Sequence, residues 1–146
     1  MRIRLIQPGE THTLRQQVLR PGRPAAELEW PLDQAQGSFH VGLELAEGPE
    51  LVSVASFVPE QQQQLEGAAQ YRLRGMATAP LHQGHGHGAQ LLRFGIAHAR
   101  AAQVGLIWCY ARQRAVPFYR RQGFLSTGAL FEIPGIGPHQ LMYLRL

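Results

Sequence analysis

The 146-residue chain is 45% apolar and only 16% charged, with a formal net charge of +4 and a single cysteine. No apolar run approaches the roughly 20 residues of a membrane span, so no membrane partner is expected. Cys109 alone excludes an internal disulfide, and Met1-Arg2-Ile3-Arg4 does not lead into a signal-peptide core; both predict a cytoplasmic protein, with one domain over residues 1–146.

In chain order, Arg2–Ile6 alternates like a short strand, with Ile3 and Leu5 on one face. Pro8-Gly9 breaks it, and Thr11 or Thr13 could cap a helix running to about Arg20. Arg20-Pro21-Gly22-Arg23-Pro24 is a stiff turn. Residues 25–32 read as a short helix or an ordered loop carrying Glu27, Glu29 and Trp30, with Asp33 just beyond. Phe39–Leu45 and Glu50–Val58 form strands around Glu47-Gly48-Pro49, a hairpin turn, and Gln61–Gln64 is an exposed turn.

Tyr71–Ala79 is the next strand, ending at Pro80. Gly86 to about Gln103 is helical, since Leu91, Leu92, Gly95, Ala99 and Ala102 recur near a 3.6-residue period. Leu106–Ala111 is a buried strand, and Val116–Gln122 a short helix with Pro117 in its first turn. Leu125–Ile133 and Gln140–Leu146 close the chain as strands around Pro134-Gly135-Ile136-Gly137-Pro138. Runs of strands with one strand–helix–strand unit over 71–111 predict an α/β fold with a mixed sheet.

The most informative stretch is Gln83-Gly84-His85-Gly86-His87-Gly88-Ala89, between the strand and the long helix. A helix start leaves backbone N–H groups unpaired at the positive end of the macrodipole. Glycines there let a phosphate approach the backbone closely. Downstream stands Ala115-Val116-Pro117-Phe118-Tyr119-Arg120-Arg121-Gln122-Gly123-Phe124. Together, and in this order and spacing, the two segments resemble the GNAT superfamily of acetyl-CoA-dependent acyltransferases. Gln83, Gly86 and Gly88 match its Gln/Arg-x-x-Gly-x-Gly/Ala pattern; Ala115, Phe118, Tyr119, Gly123 and Phe124 match its Ala-x-x-Phe-Tyr-x-x-x-Gly-Phe segment.

The resemblance implies a twisted, mixed sheet of six or seven strands with about four helices. The cofactor would lie between two splayed central strands, here Tyr71–Ala79 and Leu106–Ala111. It further implies direct acetyl transfer from acetyl-CoA to a small-molecule or peptide amine, with homodimers a family tendency. Backbone of Met76, Ala77 and Thr78 would hold the pantetheine arm and meet the developing oxyanion. Gln83, Gly84, His85, Gly86, His87, Gly88 and Ala89 would hold the pyrophosphate. Tyr119, whose side chain ordinarily titrates near 10, would protonate or solvate the leaving thiolate. Where the family carries an Asn three residues before the motif alanine, this chain has Arg112, which could reach a phosphate.

The base is less legible. Relatives often place a Glu on the strand before the glycine loop, but this strand carries Arg72 and Arg74. His139, Glu29 and Glu132 are the candidates for base or substrate contact, and a water chain with no dedicated base is the other option. The resemblance places the acceptor at the Arg20–Asp33 region and the Phe131–His139 loop, where family members vary most, and Glu27, Glu29 and Asp33 tilt it slightly toward a cationic amine.

Charge is divided unevenly: residues 1–66 hold nine acids and five arginines (net −4), residues 67–146 nine arginines and only Glu132 (net +8). A basic half suits acyl-CoA or nucleic acid alike. The aromatics lie inside apolar runs, which counts against base stacking, and no nucleic-acid partner is expected. A non-catalytic acyl-CoA-binding regulator on the same fold is the first alternative, and a basic nucleic-acid-binding module the less favoured one. His82, His85 and His87 lack a placed third or fourth ligand, and no metal is expected.

Overall fold

The computed structural model describes residues 1–146, and its seven strands form one sheet in the order β1-β2-β3-β4-β5-β7-β6. These are β1 (Arg2–Ile6), β2 (Phe39–Glu44), β3 (Leu51–Pro59), β4 (Gln70–Thr78), β5 (Leu106–Arg112), β6 (Leu125–Ile133) and β7 (Gly137–Arg145). All neighbours are antiparallel except β4 and β5, which run parallel around the crossover helix α2 (His87–Ala101). The sheet is therefore mixed, as expected.

The α-helices number three rather than about four: α1 (His12–Leu14), α2 and α3 (Val116–Arg121). The helix expected to run to Arg20 is a composite. A 3-10 turn at Pro8–Thr11 leads into α1, which widens into a π-helical stretch at Arg15–Leu19. Residues 25–28 make only a 3-10 turn, because Pro24 and the extended Glu29 bound it on both sides. Strand β7 starts three residues earlier than predicted, since Phe131, Glu132 and Ile133 of β6 pair with His139, Pro138 and Gly137 and carry the hairpin into the glycine-proline segment.

Two faces of the sheet are covered differently. On one, Leu91, Leu92, Ile96 and Ala99 of α2 join Phe57, Leu73, Ile107, Cys109, Ala111, Tyr119 and Met142 in the main core. Gly95 lets α2 lie close to β3: a Cβ there would stand 2.3 Å from the Phe57 ring. On the other face, Leu14 packs with Ile6, Val54 and Ala77, and farther along Trp108 packs with Leu106 and Leu141.

Strand β4 changes face part-way. Leu73 belongs to the α2 side and Ala77 to the opposite side, although four residues along a regular strand should share a face. The cause is a β-bulge: Val54 pairs with Ala77 but Ser56 with Arg74, leaving Gly75 and Met76 opposite Ala55. Gly75 adopts φ +68°, and a Cβ on it would stand 2.8 Å from the Trp30 ring.

Candidate active site

Strands β4 and β5 pair only through Gln70–Leu106, Tyr71–Ile107 and Arg72–Trp108. Beyond Arg72 they diverge, so the edge of β4 from Leu73 to Thr78 that faces β5 has no ladder partner there. Unpaired backbone groups at such an edge require another partner. The expected splay therefore exists, and it opens a gap through the sheet.

On the α2 side, a groove runs along Met76, Ala77 and Thr78 past Gly88, Arg112, Arg114, Ala115, Phe118 and Tyr119. It continues into a hollow bordered by Thr78, Gln83, Gly84, Gly86, His87, Gly88, Ala89 and Arg121. Gly86 is the N-cap of α2 at φ +81°, a left-handed conformation that glycine adopts freely. Its carbonyl takes the first helical bond, from the Gln90 N–H, at 3.2 Å. The helix start has no side-chain cap and no acidic residue in its first turn. The N–H groups of His87, Gly88 and Ala89 thus stand at the positive end of a 15-residue helix beside an open hollow.

His85 lies in the same loop, where its Nδ1–H donates to the His82 carbonyl at 3.3 Å, but its side chain does not border the hollow. The ring centroids of His82 and His85 are 6.4 and 6.0 Å from that of His87, and no three His, Cys, Asp or Glu side chains converge anywhere in the chain.

Inside the gap is a cleft of about 160 Å³, reached by residues of both sheet faces. Leu73, Cys109, Ala111 and Tyr119 line it from the α2 side; Arg72, Arg74, Tyr110, Arg112 and His139 line it from strands or positions facing the other way. Tyr119 borders both groove and cleft, with its ring 5.1 Å from Phe118 and 5.4 Å from Phe124. Burial, with a smaller push from Cys109, drives its hydroxyl pKa far above the ordinary tyrosine value, against a small opposing pull from Arg112. Burial likewise pushes the Cys109 thiol up to about 12, so it is no thiolate nucleophile at neutral pH.

His139 is almost fully buried, and its Nδ1–H donates to the Gly137 carbonyl at 2.8 Å. That bond fixes the tautomer and leaves the lone pair of a neutral ring on Nε2. Glu29 and Glu132 are both exposed, and neither lines the cleft that His139 borders.

The acids near residue 30 do not make an anionic acceptor site either. Asp33 is bound bidentately by Arg15, at 2.6 and 3.0 Å, and Glu27 pairs with Arg23 at the surface. Arg121 and Arg114 are lining residues that the sequence motifs left unmarked. Arg121 stands within the Phe-Tyr segment itself, where an exposed arginine one turn after Phe118 was a readable signal.

Residues 8–124 match the Acetyltransferase (GNAT) family. Over 146 residues the chain is 35% identical to the uncharacterized N-acetyltransferase YitI of Bacillus subtilis (strain 168), covering 100% of this chain and 97% of that protein. Its fold matches an aminoglycoside 6'-N-acetyltransferase solved in complex with coenzyme A, with TM-score 0.78 and 12% identity over 99% of this chain and 97% of that one. It also matches Escherichia coli ElaA, with TM-score 0.76 and 16% identity over 97% of each chain.

Proposed function

The chain belongs to the GNAT family of acetyltransferases, and on that premise we propose that it moves an acetyl group from acetyl-CoA directly to a small-molecule or peptide amine, in the cytoplasm. The observation that carries this reading is the gap between β4 and β5. At one end it meets an uncapped helix start, at the other the arginine-lined cleft, and Tyr119 stands at the junction.

The residues fit the donor. The N–H groups of His87, Gly88 and Ala89, with the charge of Arg121, suit a pyrophosphate. The free edge of β4 at Met76, Ala77 and Thr78 suits an amide-bearing arm laid along it as an added strand. A β4 N–H aimed at the thioester oxygen would stabilise the charge that develops there.

In the transfer, the amine nitrogen attacks the thioester carbon; a C–N bond forms and the C–S bond breaks. His139 Nε2, with its free lone pair, takes the proton that the amine loses. Tyr119 meets the departing sulfur. A thiol titrates near 8.5, far below this buried tyrosine, so the proton stays mainly on the phenol oxygen and the thiolate is stabilised by the hydrogen bond it accepts. Arg112 steadies negative charge at that point.

Calorimetric titration with acetyl-CoA and with CoA, at two salt concentrations, tests the reading. Saturable binding of both is expected. No binding at low salt would overturn it and direct the search to oligonucleotides.

A further inference from the structure

The cleft at the acceptor end is lined by four arginines and one histidine and by no carboxylate. The lining cations are Arg20, Arg72, Arg74 and Arg112. The chain forms six ion pairs, and among these four only Arg72 takes part, to Glu60 at 3.4 Å. Arg74 has a buried Nε with no hydrogen-bond partner. Its guanidinium lies 4.3 Å from the Trp30 ring centroid, a contact that orients it while leaving its N–H groups for another acceptor.

A half-buried guanidinium without an ion pair, as Arg74 is, is costly unless something else supplies the opposite charge. The nearby acids do not: Asp33 is consumed by Arg15, and Glu60 by Arg72. Burial, then the like charges of Arg72 and Arg15, lower the Arg74 pKa to about 10, with the effects of Glu60 and Asp33 smaller. Arg74 stays charged at neutral pH, and the field in the cleft is positive.

Arg72 and Arg74 sit two residues apart on β4, ahead of the bulge, and so share the face away from α2. Two guanidinium forks on one wall match a carboxylate or phosphate. We infer that the acceptor is a small amine that carries its own anionic group, a carboxylate or a phosphate, held by Arg72 and Arg74 with its nitrogen toward His139. A volume of about 160 Å³ suits an acceptor of amino-acid scale, since drug-sized sites run to roughly 300–1,000 Å³. Apolar wall residues such as Ile133, Ile136 and Met76 admit a short hydrocarbon body.

The same positive field addresses the strand that carries arginines where relatives carry Glu. Like charges disfavour an ammonium, so the cleft itself promotes the neutral, attacking form of the bound amine. A polycationic amine is disfavoured twice, in binding and by the absence of a counter-ion.

This inference rests on the acetyl-transfer reading, and the test separates the two. Binding of acetyl-CoA is read first, by calorimetry. Thiol release is then followed with all twenty amino acids, their amides, phosphoethanolamine against ethanolamine, and spermidine. The amide comparison is strict, because the amide has more unprotonated amine at neutral pH.

At least one anionic amine is expected to exceed its uncharged or amide counterpart in kcat/KM by about tenfold or more. Arg74→Gln should bring that ratio to within about twofold, acting mainly on the acceptor KM while acetyl-CoA affinity holds. Preference for carboxylates or for phosphoethanolamine identifies which anion is read. Acetyl-CoA binding with turnover only of amides, ethanolamine or spermidine, or with no turnover by any anionic amine, overturns the inference and leaves the donor assignment intact. Failure to bind acetyl-CoA removes the reading on which it rests.

Discussion

Gln83 Nε2 donates to the Thr78 carbonyl oxygen at 3.0 Å, tying the glycine loop to the last residue of β4. The first motif residue thus spends its amide on the protein and fixes the distance between the helix start and the free strand edge. Gln83→Ala should weaken CoA binding by roughly threefold to tenfold, the range expected of one solvent-exposed hydrogen bond near 1 kcal/mol. Gln83→Glu, which sets an acceptor against an acceptor, should weaken it at least as much; calorimetry with CoA checks both.

Gly86 is needed for its backbone and not for space. At φ +81° a side chain is strained, yet an added Cβ would meet nothing within 4 Å. Gly86→Ala should cost about 1–2 kcal/mol in the loop conformation that presents the helix N–H groups, and lower CoA affinity about tenfold. Gly88→Ala is the control. Its Cβ would make only ordinary contacts, the nearest at 3.7 Å to Met76, so affinity should change by less than about twofold on packing grounds.

Tyr119→Phe keeps the ring packing and removes the hydroxyl. Turnover should fall at least about tenfold, toward the 10²–10⁴ typical of a lost acid–base group, with acetyl-CoA affinity nearly unchanged. Equal turnover in steady-state assays would remove Tyr119 from the chemistry.

The pH dependence of stability has a specific source. Arg15 donates to Asp33 and to Ser56 Oγ at 2.8 Å; Ser56 Oγ lies 2.6 Å from His40 Nδ1, and His40 Nε2–H reaches the Asp33 carbonyl at 3.0 Å. Burial lowers the His40 pKa, so the folded state holds it neutral while the unfolded chain takes up a proton near pH 6.5. Burial would raise the Asp33 carboxyl, but the Arg15 and Trp30 N–H bonds outweigh it and hold it below the ordinary range.

Both folded values are depressed, so stability is full above the unfolded pKa and falls with acid: first below about pH 6.5 through His40, then below about pH 4 through Asp33. Thermal melts across pH 3–8 check this. Asp33→Ala, which strands the buried Arg15, should cost roughly 3–5 kcal/mol.

How much of this was legible in the sequence follows physical range. The glycine loop, the Phe-Tyr segment and the long helix are local signals, and Gln83, Gly86, Gly88 and Tyr119 fall where the sequence reading put them along the chain. The strand edges and the composite helical run over residues 8–19 were less clear, because the π-helical stretch at Arg15–Leu19 keeps an apolar pattern like that of an α-helix. The arginine lining of the cleft was not legible: the Arg20–Asp33 region and the Phe131–His139 loop could be named as the acceptor end, but it is the strand order β4-β5-β7 that sets Arg20, Trp30, Arg74, Arg112 and His139 around one cleft. The pairing of Asp33, one of the acids that tilted the acceptor toward a cationic amine, was equally out of reach. Only the fold reveals that Arg15 consumes Asp33.

The most direct test of the donor site is amide hydrogen exchange with and without acetyl-CoA, read segment by segment. Slowed exchange is expected in two separate places, Met76–Thr78 on β4 and His87–Ala89 at the start of α2, because the ligand accepts from both sets of N–H groups. Protection confined elsewhere, or absent from β4 at saturating acetyl-CoA, would contradict a donor lying in the gap between β4 and β5.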